Sequence, residues 1–364
     1  MRSYAQTGGA AVVFLMIEPD SRAAGMGNAG VAVADNAYAT FWNPAGLAFQ
    51  RGTEVSLTHS KWLPEFDAGL YYENLVGEFH IKGAGTLAGQ IVFLNLGENE
   101  YRDINNVSFG TFRSYDLATG LSYGFNVSKN LALGTGVRLI YSNLAPSSDE
   151  VGIKTKPGVS MGVDAALLYK SNTFSLGSVK TNVNAGFNLS NMGPKIKYTV
   201  SDSSKGDPIP TNFRAGYAVT FNFDEYNSLT FANDFTKMLT HVRVDSSGGG
   251  VRAEADPFYK AIFSSWSPIR VNAGTESDPE IRTLSAFSQL MIGMGLEYWY
   301  NHVFAARAGY FYENPYNGNR QFLTFGAGFR YSIVGVDFSY IRALEEDSPL
   351  ANTLRFSLIL NFNK

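Results

Sequence analysis

Apolar and polar side chains alternate with a period of two along most of this chain, and the pattern is clearest at its end. In 351–363, Leu354, Phe356, Leu358, Leu360 and Phe362 take every second position, with Arg355, Ser357 and Asn361 between them. Successive side chains of a strand point to opposite faces. The segment is therefore predicted as a strand with one apolar and one mostly polar face. The stretch 115–127 reads the same way: Leu117, Leu121, Tyr123, Phe125 and Val127 oppose Ala118, Gly120, Ser122, Gly124 and Asn126. Further strands are predicted from residue 53, over 68–81 and 86–96, from 131, 159, 183 and 213, and near 227–236. The last block supplies 288–300, 303–312, 321–334 and 336–343. The total is about 14, an even number, as antiparallel barrel closure requires.

The links between these strands sort by parity. The odd links fall at 61–67, 97–113, 143–158, 193–209, 237–287, 313–320 and 344–350 and are mostly long. The even links fall at 82–85, 128–130, 170–180, 223–226, 301–302 and 335 and are mostly tight. Outer-membrane barrels have short periplasmic turns and long external loops, whereas a soluble β-sandwich has no reason to sort its loops this way. The fold class expected is all-β: a transmembrane antiparallel barrel over 51–364 with long extracellular loops, the largest about 237–287. The inward faces carry Gly, Ser, Asn and Thr, for example Gly293, Gly295, Gly326, Gly328 and Ser332, and the outward faces almost no charge.

Residues 1–50 do not alternate. They run through Pro19-Asp20-Ser21-Arg22, the glycines Gly25, Gly27 and Gly30, and Trp42-Asn43-Pro44-Ala45. Small residues dominate, with turn formers at Asp35-Asn36 and Asn43-Pro44. Such a segment can approach other backbone closely, so it is expected as a plug inside the lumen, on the periplasmic side with the C-terminus.

Composition agrees with a lipid-facing wall. Charged residues make up 17% of the 364 positions, below the usual quarter, and aromatics 14%. A formal charge of −3 supplies no basic field for nucleic acid. The chain has no cysteine, which removes disulfides, thiolate catalysis and zinc–sulfur sites together. No apolar run approaches the ~18–20 residues of a spanning helix. The nearest, Gly8 to Ile17, follows Arg2 as a signal peptide would, but Glu18-Pro19-Asp20 comes at once. Numbering from near a mature N-terminus is expected, with export by a segment not shown.

Several motifs resemble chemistry. Gly25-Met26-Gly27-Asn28-Ala29-Gly30 matches G-x-G-x-x-G, but no βαβ unit follows to place a pyrophosphate. Gly120-Leu121-Ser122-Tyr123-Gly124 matches G-x-S-x-G, yet its Ser lies mid-strand, where no nucleophile elbow forms. His59, His80, His241 and His302 show no ligand spacing. Asp149-Glu150 and Glu345-Glu346-Asp347 read as solvated loop acids. Neither cofactor nor metal is expected. The loop apolars are less ordinary. Trp62, Leu63 and Phe66 lie in the first link, Phe258, Ile262, Phe263 and Trp266 in the longest, and Tyr316 in a third. Phe258, Ile262 and Trp266 are spaced as one stripe of a short helix. These apolars would form a lid over the barrel mouth, a docking surface for another protein, or both.

The plug motifs resemble the N-terminal hatch of FadL-like barrels, and more closely the PorV family of the Bacteroidetes type IX secretion system. The C-terminal third adds Gly295-Leu296-Glu297-Tyr298-Trp299-Tyr300, Ala308-Gly309-Tyr310-Phe311-Tyr312-Glu313-Asn314-Pro315, Gly318-Asn319-Arg320-Gln321 and Thr353-Leu354-Arg355-Phe356-Ser357. On this resemblance Pro19, Asp20, Arg22, Gly25, Gly27, Gly30, Asn43, Pro44 and Ala45 belong to the hatch. It implies a non-enzymatic, multi-pass outer-membrane protein. That protein would collect cargo, through the cargo's C-terminal β-domain, at a giant translocon barrel. It would pass the cargo to a sortase-like partner that attaches it to lipopolysaccharide. Two rival readings share the architecture: a FadL-like transporter of hydrophobic small molecules, and an envelope deacylase for which no nucleophile–base pair can be placed.

Overall fold

The structure, a computed structural model, describes residues 9–362 except 104, 146–154, 200–205, 246–251, 275–277, 279 and 347. Its wall begins with β1 (Thr53–Lys61), β2 (Tyr71–Ile81), β3 (Gly85–Arg102), β4 (Ser108–Asn126), β5 (Leu131–Asn143), β6 (Gly158–Lys170) and β7 (Val179–Met192). It continues with β8 (Asn212–Asn222), β9 (Asn227–Met238), β10 (Met291–Tyr300), β11 (Phe304–Tyr312), β12 (Gln321–Tyr331), β13 (Val334–Ala343) and β14 (Leu354–Asn361). Each strand pairs antiparallel with the next, and β14 returns to β1, so the fourteen strands close. Closure leaves no strand without a neighbour on either side, as hydrocarbon demands. Among the described residues no helix is long and apolar enough to cross a membrane.

Alternation sets the two faces. Leu57 sits in register between Leu358 of β14 and Leu75 of β2, and Leu121 and Leu139 are more than half exposed. Such a belt would be costly in water, at about 1.5–3 kcal/mol per large side chain, and faces lipid instead. Inward positions such as Ser56, Thr58, Asn74, Ser160 and Asn188 are buried, because residues 9–50 fill the lumen.

This plug enters higher than expected. The Ala11 amide donates to the Pro208 carbonyl (2.9 Å), in the long link before β8. Phe14, Leu15 and Ile17 then pack on Tyr72, Val92, Leu94 and Ile140 of the wall. The chain descends through α1 (Ser21–Ala24) and α2 (Ala39–Trp42) to a 3₁₀ segment, Pro44–Phe49, near the short-turn end. The plug thus runs down the lumen from the long-loop end and is not confined to the periplasmic side. Its outer part is apolar because the upper lumen wall is.

Other details differ as well. β3 and β4 extend to Arg102 and Ser108, so the expected link at 97–113 is mostly hairpin. The residues in it alternate weakly because both faces are wet above the membrane. Ser332 lies in the β12–β13 turn with φ 53°, not in the lumen. The longest link spans 239–290 and holds α3 (Phe258–Ser264) and two short hairpins. Asp149-Glu150 lies outside the described residues.

The lipid belt makes a testable statement. Leu358→Arg, mid-strand on the outer face, should lower stability in lipid vesicles by about 2–4 kcal/mol. Leu358→Val should cost under ~1.5 kcal/mol. Equilibrium denaturant unfolding distinguishes them.

Candidate functional site

A barrel that handles something must do so through its lumen or on its rim, so what holds the lumen shut decides between them. The plug is fastened by charge. Arg22 donates from Nε and Nη2 to the two carboxylate oxygens of Glu297 on β10, at 2.8 and 2.7 Å. Arg307 on β11 donates to the same carboxylate (2.7 Å) and to Asp337 on β13 (2.9 Å). Arg330 on β12 completes the chain with two bonds to Asp337 (3.0 and 2.6 Å). Arg22 also pairs with Asp35 within the plug. Three guanidinium groups thus meet three carboxylates, and Glu297, Arg307 and Asp337 are all but inaccessible. Paired buried charges of this geometry are stable together but costly to separate. The indole of Trp299 lies under both Arg307 (5.5 Å) and Arg330 (5.4 Å).

The other hatch residues work through the backbone. Pro19 is buried at the entry to α1. Asp20 caps α1 by accepting the Ala23 amide (2.9 Å), and its second oxygen accepts the Trp42 indole N–H (2.6 Å). Asn43 bridges plug and wall, donating to the carbonyls of Val31 (2.9 Å) and Leu167 (3.0 Å). Its Oδ1 accepts the Ala45 amide at the start of the 3₁₀ segment, where Pro44 needs no donor. From the wall, Asp234 accepts the amides of Gly30 (2.8 Å) and Val31 (2.9 Å). Arg214 lies over the rings of Trp42 (4.5 Å) and Phe41 (5.1 Å).

Two glycines are explained by close approach. Gly27 has φ +64°, and a Cβ there would stand 2.4 Å from the Met294 carbonyl oxygen. Across from it, a Cβ on Gly309 would stand 2.0 Å from the Gly27 nitrogen. Gly25 ends α1 against Gly326, and Gly30 lies flat on the Trp42 ring. The backbone of the plug thus touches the backbone of the wall.

The rim residues separate into groups. Trp62 is partly buried on the Phe14–Ile17 cluster, Leu63 is half-buried, and Phe66 is exposed. The ring of Tyr316 lies beneath Arg282 (5.1 Å), whose Nη1 donates to its hydroxyl (3.1 Å). Phe258 and Ile262 are half-buried, and Phe263 is exposed. Trp266 lies just past α3, edge-on to Phe213 of the wall (5.3 Å). The base of this cap is Asp256, paired with His241 Nδ1 (3.0 Å), Arg243 (2.7 Å) and Lys260 (3.5 Å). Burial pushes the Asp256 carboxyl up. Hydrogen bonds from Ser264 and His241 and the charges of Arg243 and Lys260 outweigh this and hold it below its ordinary value. Among the described residues no three His, Asp or Glu side chains gather closely enough to hold a metal.

The buried charge chain was missed in the sequence because its members are scattered singly among small residues. Glu297, Arg307, Arg330 and Asp337 each occupy an inward position of an alternating strand, and that regularity is the signal that could have found them.

Closed wall and filled lumen define a plugged β-barrel of the bacterial outer membrane. The model of the family described as type IX secretion system protein PorV matches residues 3–245, and the chain belongs to that family. Among solved structures, it is similar to the toluene transporter TodX of Pseudomonas putida: 12% identity, 95% of this chain and 99% of that one covered, TM-score 0.55. A second TodX structure gives 14% identity, coverage of 94% and 96%, and TM-score 0.52. The toluene transporter TbuX of Ralstonia pickettii gives 13%, coverage of 95% and 99%, and 0.50. At these identities the likeness concerns the fold alone. A comparison with curated proteins finds no match.

Glu297→Gln removes a buried charge but not its volume. It should cost about 3–5 kcal/mol in thermal or denaturant unfolding. In planar bilayers it should turn a silent wild-type barrel into one with stepwise ion conductance.

Proposed function

We propose that this protein is a non-enzymatic cargo carrier of type IX secretion. It binds the C-terminal β-domain of exported proteins at the giant translocon barrel and delivers them to a sortase-like attachment partner. The supporting observation is the locked plug. A lumen closed by Glu297 and its partners passes no folded protein, so binding belongs on the outer rim. Exposed apolar side chains are present there, with Phe66 in the β1–β2 loop and Val107 and Phe109 at the β3–β4 tip. Such side chains, rimmed by polar loops, suit a protein–protein surface.

The alternative is transport of hydrophobic small molecules. The fold shared with TodX and TbuX, both named toluene transporters, favours it. That role needs an apolar cavity in the upper lumen. Here Val12, Phe14, Leu15 and Ile17 of the chain itself occupy the apolar part of that space.

In a strain whose own gene is replaced by a Phe66→Ser, Phe109→Ser variant, cargo should accumulate in the periplasm or on the translocon while the barrel remains in the membrane. Normal surface display in both this strain and a full deletion would refute the carrier reading. Loss of growth on a hydrophobic substrate, with secretion intact, would support the transporter instead.

A further inference from the structure

The link 237–287 is expected as a lid over the mouth, a docking surface or both, and the contacts place part of the connection beside the wall. Arg214 points inward, onto the plug rings of Trp42 and Phe41. Its neighbour Phe213 therefore faces outward and lies edge-on to Phe187, another exposed wall aromatic, at 5.5 Å. Lys237 is the register partner of Phe213 and shares its face. Trp266 covers both, at 5.3 Å from the Phe213 ring and 5.6 Å from Lys237 Nζ. Lys237 Nζ also donates to Gln289 Oε1 (2.5 Å), and Gln289 Nε2 donates to the Ser267 carbonyl (3.1 Å). A lysine on the lipid-facing wall is thus buried and paired by two pieces of the cap, which fixes the cap to the outside of β8 and β9.

The helix α3 carries its apolar residues on the side this contact defines. The Trp266 amide bonds back to the Phe263 carbonyl (3.3 Å), so the helical turn runs on past Ser264. At 100° per residue, positions 259, 263 and 266 share one face. Ala261 and Ser265, on another face, are buried. Tyr259 and Phe263 are 65% and 78% exposed, and Phe287, two residues before Gln289, is 79% exposed. Tyr259 and Phe263 thus extend the aromatic row Phe187–Phe213–Trp266 at the long-loop end of the wall, and Phe287 stands exposed in the same cap. Aromatic side chains at this level form the interfacial girdle of outer-membrane barrels. An amphipathic helix lying in the interface buries its apolar face among headgroups and upper acyl chains.

We propose that Tyr259, Phe263 and Phe287, with Trp266, form a lateral foot that dips into the outer leaflet of the membrane. The occupant of this surface is lipid. The foot sets the barrel's depth and tilt, and it leaves cargo docking to the opposite rim. In the fourteen-strand order the β9–β10 connection lies half a turn from the β1–β2 and β3–β4 loops.

The chain has no cysteine, so single nitroxide labels can be placed cleanly. Full-length Phe263→Cys, Tyr259→Cys, Leu139→Cys and Phe66→Cys proteins are spin-labelled in vesicles of phosphatidylcholine with lipopolysaccharide. Collision with oxygen and with a water-soluble nickel chelate is then measured. The oxygen-to-nickel ratio at 263 and 259 should be several-fold above that at Phe66 and approach that at Leu139 on the wall. A ratio equal to that at Phe66 would overturn the proposal by placing the foot in water. Protection from both reagents would overturn it equally, by revealing a second copy of the chain on the surface. Two positions on the same face guard against one variant failing to fold. The carrier reading is tested by secretion, so either result stands without the other.

Discussion

A peptide group in hydrocarbon has only its own chain to bond with, and the other features follow from how that demand is met. Closure between β14 and β1 leaves no edge, but it also creates an interior. An interior of this width cannot stay empty without becoming a pore. Wall side chains do not fill it; residues 9–50 do. Small inward residues are the consequence, because backbone must fit against backbone at Gly27 and Gly309.

Filling the lumen with chain brings buried polar groups, and wall side chains meet many of them. Asp234 holds two plug amides, Asn43 and Asn188 reach across to carbonyls, and Glu297 anchors Arg22 of the plug. The result is rigid in the middle and apolar above, where Phe14 and Ile17 pack against β2, β3 and β5.

The period-two pattern made the strands, their even number and their closure legible before any coordinates, because a lipid-facing wall permits few exceptions. The parity of the links was legible for the same reason. Single inward charges were not, since Arg307 or Asp337 alone is indistinguishable from a polar lumen residue until its partners are adjacent. Nor was the course of residues 9–17, whose apolar side chains are ambiguous without knowing which wall they meet. The placement of Trp266 depended on Lys237, an outward lysine that would be an error in a bare wall and makes sense only under the cap. The glycines and Asn43 of the plug stood out by composition, but their roles rest on contacts with strands more than a hundred residues away.

The amide and hydroxyl of Ser21 both meet the hydroxyl of Ser357, 336 positions further along the chain. That contact lies beside the seam where β14 meets β1, and the strands that grip Arg22 belong to the same late portion of the chain. Residues 21 and 22 therefore find their partners only where the two ends of the described sheet are brought together, so the seam of the cylinder and the seat of its stopper share the same side chains.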